Sequence, residues 1–262
     1  MRLFRYRGKK KILSRRRKRG GYVKGDSLIK ENSDYTKDKP SLLFLHGYGS
    51  FGKSFAPQIA FFKKDYNVYY PDMKGFGENK DMPYPYSLGD YAEEIKEYMS
   101  RNGIDKPCVV AHSFGARVAI KLAAENGEIF DKIVLTGAAG LKPKFSLKKA
   151  IKKKIFGIAK KFVPKRKLSA FYSKDYRALS PVMKESFVKI VNENLDGLIS
   201  HVKNPTLIIF GDKDKETPLY MAKRLNSGIE NSKLVIFNGA GHFAFLDKPM
   251  KFNAEVKEFL LS

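Results

Sequence analysis

The chain of 262 residues is long enough for one large domain, or for one domain carrying a sizeable insertion. Apolar residues make up 43% and charged residues 30%, which excludes a disordered chain and predicts a packed core. The formal charge of +24 is local: residues 1–24 carry 12 Lys and Arg and no acid, residues 142–167 carry another 12 and no acid, and the remainder balances, so the body of the fold is not a general polyanion binder.

Taken in chain order, the basic segment 1–24 is followed by a polar stretch, residues 25–40, that reads as a loop or hairpin. Short apolar runs then alternate with longer amphipathic ones. Strands are predicted at Ser41–Leu45, Tyr66–Tyr70, Pro107–Ala111, Lys132–Thr136, Pro205–Phe210 and Lys233–Phe237. Each is apolar and rich in β-branched or aromatic residues, as strands buried on both faces should be. Helices are predicted at Ser54–Lys63, Ser87–Arg101, Phe114–Asn126, Leu219–Leu225 and Met250–Leu260, with Ser87 as an N-cap and Gly103 and Gly127 as stops. The alternation predicts an α/β fold with a mostly parallel central sheet flanked by helices. Between about Leu141 and His201 it lapses into several helices with no strand. That stretch, 141–201, is assigned as a helical lid inserted into a core made of residues 1–140 and 202–262.

No apolar run approaches the ~18–20 residues needed to cross a bilayer. The basic N-terminus lacks the apolar stretch and cleavage site of a signal peptide. Cys108 is the one cysteine, so no internal disulfide can form, and it sits in the apolar run of a strand. A cytoplasmic location is expected.

The chemistry gathers at four places. At Ala111-His112-Ser113-Phe114-Gly115-Ala116 a strand ends and a helix begins. A serine at so sharp a turn is either the helix N-cap or a nucleophile held in a strained backbone with its hydroxyl exposed. The positions two before and two after it must be small, and Ala111 and Gly115 are. Serine needs a base, and the base needs an acid to orient it. Of the four histidines, His46 follows the first strand, His112 lies inside the turn and His201 reads as a surface or hinge residue. His242, in Gly239-Ala240-Gly241-His242-Phe243, follows the last strand on a glycine loop that can carry an imidazole back over the sheet. The acid should follow the preceding strand, where Asp212, Asp214 and Glu216 share one loop. Asp214 stands at its crest, while Asp212 is still leaving the sheet and Glu216 is already turning toward Pro218.

These motifs, with His46-Gly47-Tyr48-Gly49 and Asp72-Met73-Lys74-Gly75-Phe76-Gly77, give the chain a resemblance to the α/β-hydrolase superfamily from about Ser41 to Ser262. The order Ser, Asp, His along the chain is that of the superfamily. The resemblance implies a lid-bearing serine hydrolase with Ser113, Asp214 and His242 as its triad. It also implies an oxyanion hole from the backbone N–H groups of Tyr48 and Phe114, and edge strands from the first ~40 residues. Ala111 departs from the usual glycine of the elbow. Serine at 113 argues against the dehalogenases and epoxide hydrolases, which carry Asp there, and Phe114 in place of Trp argues against the proline iminopeptidase pattern. The Asp72–Gly77 loop reads as structural, shaping the mouth of the site.

The expected reaction is hydrolysis of a carboxylic ester, thioester or lactone through an acyl-enzyme on Ser113, with a small-molecule acyl substrate, no cofactor and no metal. Two alternatives stand beside it: a ligand sensor on the same fold, and a lysolipid-directed lipase. The latter would use the basic lid, where Leu147, Ile151, Ile155, Ile158 and Phe162 define an apolar helix face with lysines on the others. Weak contact with an anionic membrane surface is the partner expected of the basic segments, with no specific nucleic acid. The acyl group, the leaving group and the oligomeric state are left open.

Overall fold

A computed structural model describes residues 36–144 and 179–262. Among these residues six strands form one parallel sheet: β1 (Ser41–Leu45), β2 (Asn67–Tyr69), β3 (Cys108–His112), β4 (Ile133–Thr136), β5 (Thr206–Gly211) and β6 (Ser232–Phe237), in the order β2-β1-β3-β4-β5-β6. The helices are α1 (Ala56–Phe62), α2 (Leu88–Arg101), α3 (Phe114–Glu125), α4 (Pro181–Asn192), α5 (Leu219–Gly228), the short α6 (Ala244–Asp247) and α7 (Pro249–Leu261). Strand positions agree with the expected ones to within a residue at either end. The first helix differs more: a 3-10 turn, Gly52–Phe55, precedes α1, whose first turn carries Pro57, which has no N–H to donate within a helix.

Successive strand residues point to opposite faces, and the sheet builds two cores from that alternation. Leu43, Leu45, Val109, Ala111, Leu135, Ile208 and Phe210 pack beneath α2, α3 and α5. Leu42, Phe44, Val110, Val134, Leu207 and Ile209 pack against α1 and α7. Both faces being covered explains why the strands read as continuous apolar runs. Helix α2 buries Leu88, Tyr91, Ala92, Ile95 and Met99, one stripe at helical spacing. Its start is fixed by a reciprocal capping box, Asp90 N–H to Ser87 Oγ at 3.2 Å and Ser87 N–H to Asp90 Oδ2 at 2.7 Å.

From β1 the chain moves one way to β2 and then back past β1 to β3. The loops leaving β1 and β3 therefore diverge, and such a switch point opens a crevice at the carboxyl edge of the sheet. Over that edge lies α4, the described part of the stretch assigned to a lid together with a 3-10 turn at Ile199–His201. Arg117 Nη1, buried in α3, donates to the carbonyls of Ile190 and Glu193 at 2.9 Å each and so seats the end of α4. The Tyr48 hydroxyl donates to the Met183 carbonyl at 2.8 Å and Ser186 Oγ to the Tyr86 carbonyl at 2.9 Å. The expected edge strands of the first 40 residues, the basic segment 1–24 and the lid face of Leu147 to Phe162 lie outside the described residues, apart from residues 36–40. No helix among the described residues is long and apolar enough to cross a membrane.

Candidate active site

Ser113 joins β3 to α3 with φ 50° and ψ −105°, a left-handed conformation costly for a residue with a side chain. It occupies the N-cap position of α3, yet its side chain makes no capping hydrogen bond. Capping therefore does not account for the serine. The turn is held by the chain itself: Ser113 N–H donates to the Thr136 carbonyl at 3.1 Å, and the Ser113 carbonyl accepts from Ala139 N–H at 3.2 Å. Its tightness explains Gly115, where a Cβ would fall 2.2 Å from the Leu45 carbonyl oxygen and 2.8 Å from that of His46. Ala111, on the other side, is buried in β3.

Asp214 lies in the loop after β5, its side chain wholly buried. Its Oδ1 accepts from the backbone N–H groups of Glu216 and Thr217, both at 2.9 Å, and its Oδ2 accepts from the Thr217 hydroxyl at 2.7 Å. Oδ2 also lies 2.8 Å from His242 Nδ1. A carboxylate there can only accept, so Nδ1 carries a proton, and in the neutral ring the lone pair lies on Nε2. Burial alone would raise the Asp214 pKa, but the hydrogen bonds from His242 and Thr217 outweigh it and hold the carboxyl below its ordinary value. Asp212 does different work: its Oδ1 accepts from Gly239 N–H at 2.6 Å, tying the loop after β5 to the loop after β6. Asp247 Oδ2 braces the same loop through Gly241 N–H at 2.7 Å.

His242 is nearly buried, and His112 anchors it. His112 Nε2 lies 3.1 Å from the His242 carbonyl and must donate to it, and the two rings are 4.7 Å apart. Burial pulls the His112 pKa down to about 3, with the neighbouring His242 adding to the effect, so the ring stays neutral. At the end of β4, Gly137 (φ 51°) leaves room for His242, since a Cβ there would meet the His242 carbonyl at 2.9 Å. His46 is a brace of another kind: Nδ1 donates to the Gly47 carbonyl at 2.8 Å and Nε2 accepts from Met73 N–H at 3.0 Å. It ties the loop after β1 to the Asp72–Gly77 loop, which Asp72 secures again by accepting from Gly52 N–H at 2.7 Å. His201 is exposed in its 3-10 turn.

The structure thus brings Ser113, His112, His242 and Asp214 to the carboxyl edge of β3, β5 and β6. It sets Tyr48 beside Phe114, their rings 5.6 Å apart. Phe114 is the first residue of α3, one of the opening N–H groups that have no acceptor inside a helix. Gly47 backs onto the elbow, a Cβ there meeting His112 Nδ1 at 2.7 Å. Sequence reasoning assigned no role at the site to His112, Thr217, Asp247 or Glu216. Thr217 had a local signal, a hydroxyl three residues after Asp214; the bond from His112 to His242 spans the chain and had none. Among the described residues, no group of three or more His, Cys, Asp or Glu is placed to hold a metal.

The model of the alpha/beta hydrolase family matches residues 42–255. The AB hydrolase superfamily protein YisY of Bacillus subtilis is 27% identical, over 92% of this chain and 98% of its own. The 2-hydroxymuconate semialdehyde hydrolase of Pseudomonas putida is 26% identical over 72% of this chain and 75% of its own. Among solved structures, a meta-cleavage product hydrolase from Pseudomonas fluorescens superimposes with a TM-score of 0.65 at 26% identity, covering 85% of this chain and 90% of that one. An esterase from Exiguobacterium antarcticum gives 0.68 at 20% identity over 85% and 92%, a likeness of fold.

Proposed function

The chain belongs to the alpha/beta hydrolase family, and from that premise we propose that it hydrolyses a carboxylic ester, thioester or lactone through an acyl-enzyme on Ser113. The observation that carries the reading is the 2.8 Å bond from His242 Nδ1 to the buried Asp214, on the loops beside a strained, non-capping Ser113. In the proposed reaction His242 Nε2 takes the Ser113 proton as the hydroxyl attacks the carbonyl carbon. The N–H groups of Phe114 and Tyr48 receive the oxyanion, and loss of one such donor costs about 10²–10³ in rate. His242 then protonates the leaving group. Water, deprotonated in turn by His242, releases the acid and restores the serine.

The relatives support hydrolysis, their names giving 2-hydroxymuconate semialdehyde as the substrate in one and a meta-cleavage product in another. Elementary reactivity favours the ester, which this machinery suffices to cleave. Labelling with a fluorophosphonate, followed by a panel of esters of rising acyl length, tests the reading. Wild-type protein should label and turn over part of the panel, and Ser113→Ala should do neither while keeping its fold. Labelling retained by Ser113→Ala would sink the assignment, and labelling without turnover of any ester would favour a ligand sensor on the same fold.

A further inference from the structure

Glu216 is a second acid at the histidine, and it sits on the opposite edge of the ring from Asp214. Its Oε2 lies 3.6 Å from His242 Nε2, and its side chain is 71% exposed, whereas those of His242 and Asp214 are 7% and 0% exposed. Nδ1 is committed to Asp214. Nε2 is therefore the nitrogen that would exchange protons with Ser113 and the leaving group, and an atom 3.6 Å from it stands among the reacting atoms. The position is not that of a free surface glutamate. The backbone N–H of Glu216 donates to Asp214 Oδ1, the next residue donates twice to Asp214, and Pro218 follows, so the Cα is fixed by the acid turn itself. Of its charged neighbours in the loop, Lys213 is 3.6 Å from Asp212 and Lys215 is exposed.

A charge so placed acts on the substrate. A carboxylate beside the scissile carbonyl would lie near the Glu216 carboxylate and be repelled, while a cationic group there would be attracted. Because the glutamate is solvated, water and salt screen the effect to a modest one. We propose that Glu216 sets the charge selectivity of this site, favouring substrates with a cationic group near the reacting carbonyl over those with an anionic one. The inference rests on the hydrolase reading and names the substrate class within it.

The test uses the full chain and two p-nitrophenyl esters of matched acyl length, one ending in trimethylammonium and one in carboxylate, with kcat/KM measured at low salt. The quantity read is the ratio of cationic to anionic ester, in which any general loss of activity cancels. The ratio should exceed one in the wild type, fall about five- to tenfold in Glu216→Gln, and drop below one in Glu216→Lys. A ratio that neither substitution moves, with both esters still cleaved, overturns the role of Glu216 and leaves the hydrolase reading standing. A wild type that cleaves neither ester and takes no fluorophosphonate label overturns both.

Discussion

The loop after β5 carries three acids within five residues, and their side chains do three different things. Asp214 is buried against the imidazole, Asp212 holds Gly239, and Glu216 faces solvent beside Nε2. In Asp214→Asn the amide oxygen stays with the two backbone N–H groups and the NH2 faces His242 Nδ1, which in the proposed mechanism gives the wrong tautomer and an unsupported imidazolium. Turnover should fall about 10⁴-fold, the loss that the same change brings in serine proteases. Asp212→Asn keeps an oxygen for Gly239 and should cost about tenfold at most. Turnover of the two variants at one pH decides between them, and a dead Asp212 variant would move the proposed triad acid. Backbone geometry makes an equally sharp contrast. Gly115→Ala drives a methyl into two carbonyl oxygens, whereas Gly103→Ala, at φ 61°, meets nothing within 4 Å. The first should cost about 3 kcal/mol or more and the second about 1, read from urea unfolding midpoints. The places of Ser113, Asp214 and His242 at the ends of their strands were legible, because the strands before them read as apolar runs. The part His112 plays was not, because its partner is 130 positions away.

The loop between β2 and α2 is pinned from two sides by groups that titrate in opposite senses. His46 accepts from Met73 N–H, and burial pulls its pKa from 6.5 down to about 4. The unfolded chain takes up that proton below about 6.5 and the folded one only near 4. The stability from neutral His46 is therefore full above pH 6.5 and is lost as pH falls toward 4, up to about 3 kcal/mol. Glu94 Oε1 and Oε2 accept from Lys74 N–H at 2.9 and 3.1 Å, and burial lifts its pKa from 4.5 to about 7, against the hydrogen bond from Lys74. Here the folded chain binds the proton first, so acidification from 7 to 4.5 adds stability of similar size. The two contributions offset each other. Glu94→Gln removes one of them, so its unfolding free energy should fall more steeply than that of the wild type between pH 7.5 and 4.5. Buried His112 and hydrogen-bonded Asp214 add to the acid loss in both proteins alike. Matching slopes in urea titrations would contradict the account. The strands bounding this loop were readable as apolar runs; its two pins were not, because a buried histidine and a half-buried glutamate look like any others until their backbone partners are known.

At the scale of the molecule, alternation of strand and helix announced a parallel sheet, but not its order. Which strands pair depends on contacts between distant segments: Leu42 with Cys108, Ile133 with Thr206. That order has a kinetic consequence. Parallel pairing across long connections is slow, since each closure sacrifices chain entropy before any contact rewards it. The loop of His242 follows β6, which among the described residues pairs with β5 alone, so His242 comes to the edge that holds Ser113 after β3, β4, β5 and β6 have found one another. Partly assembled chains would hold helices and a buried elbow yet leave Ser113, the proposed nucleophile, without His242. On dilution from denaturant, helical circular dichroism should recover ahead of reactivity toward fluorophosphonate, and the label should enter only in the last phase. Simultaneous recovery of both signals would mean that the sheet closes in one step. With the expected delay, Ser113 becomes a timekeeper: its phosphonylation dates the moment at which the last strand has docked.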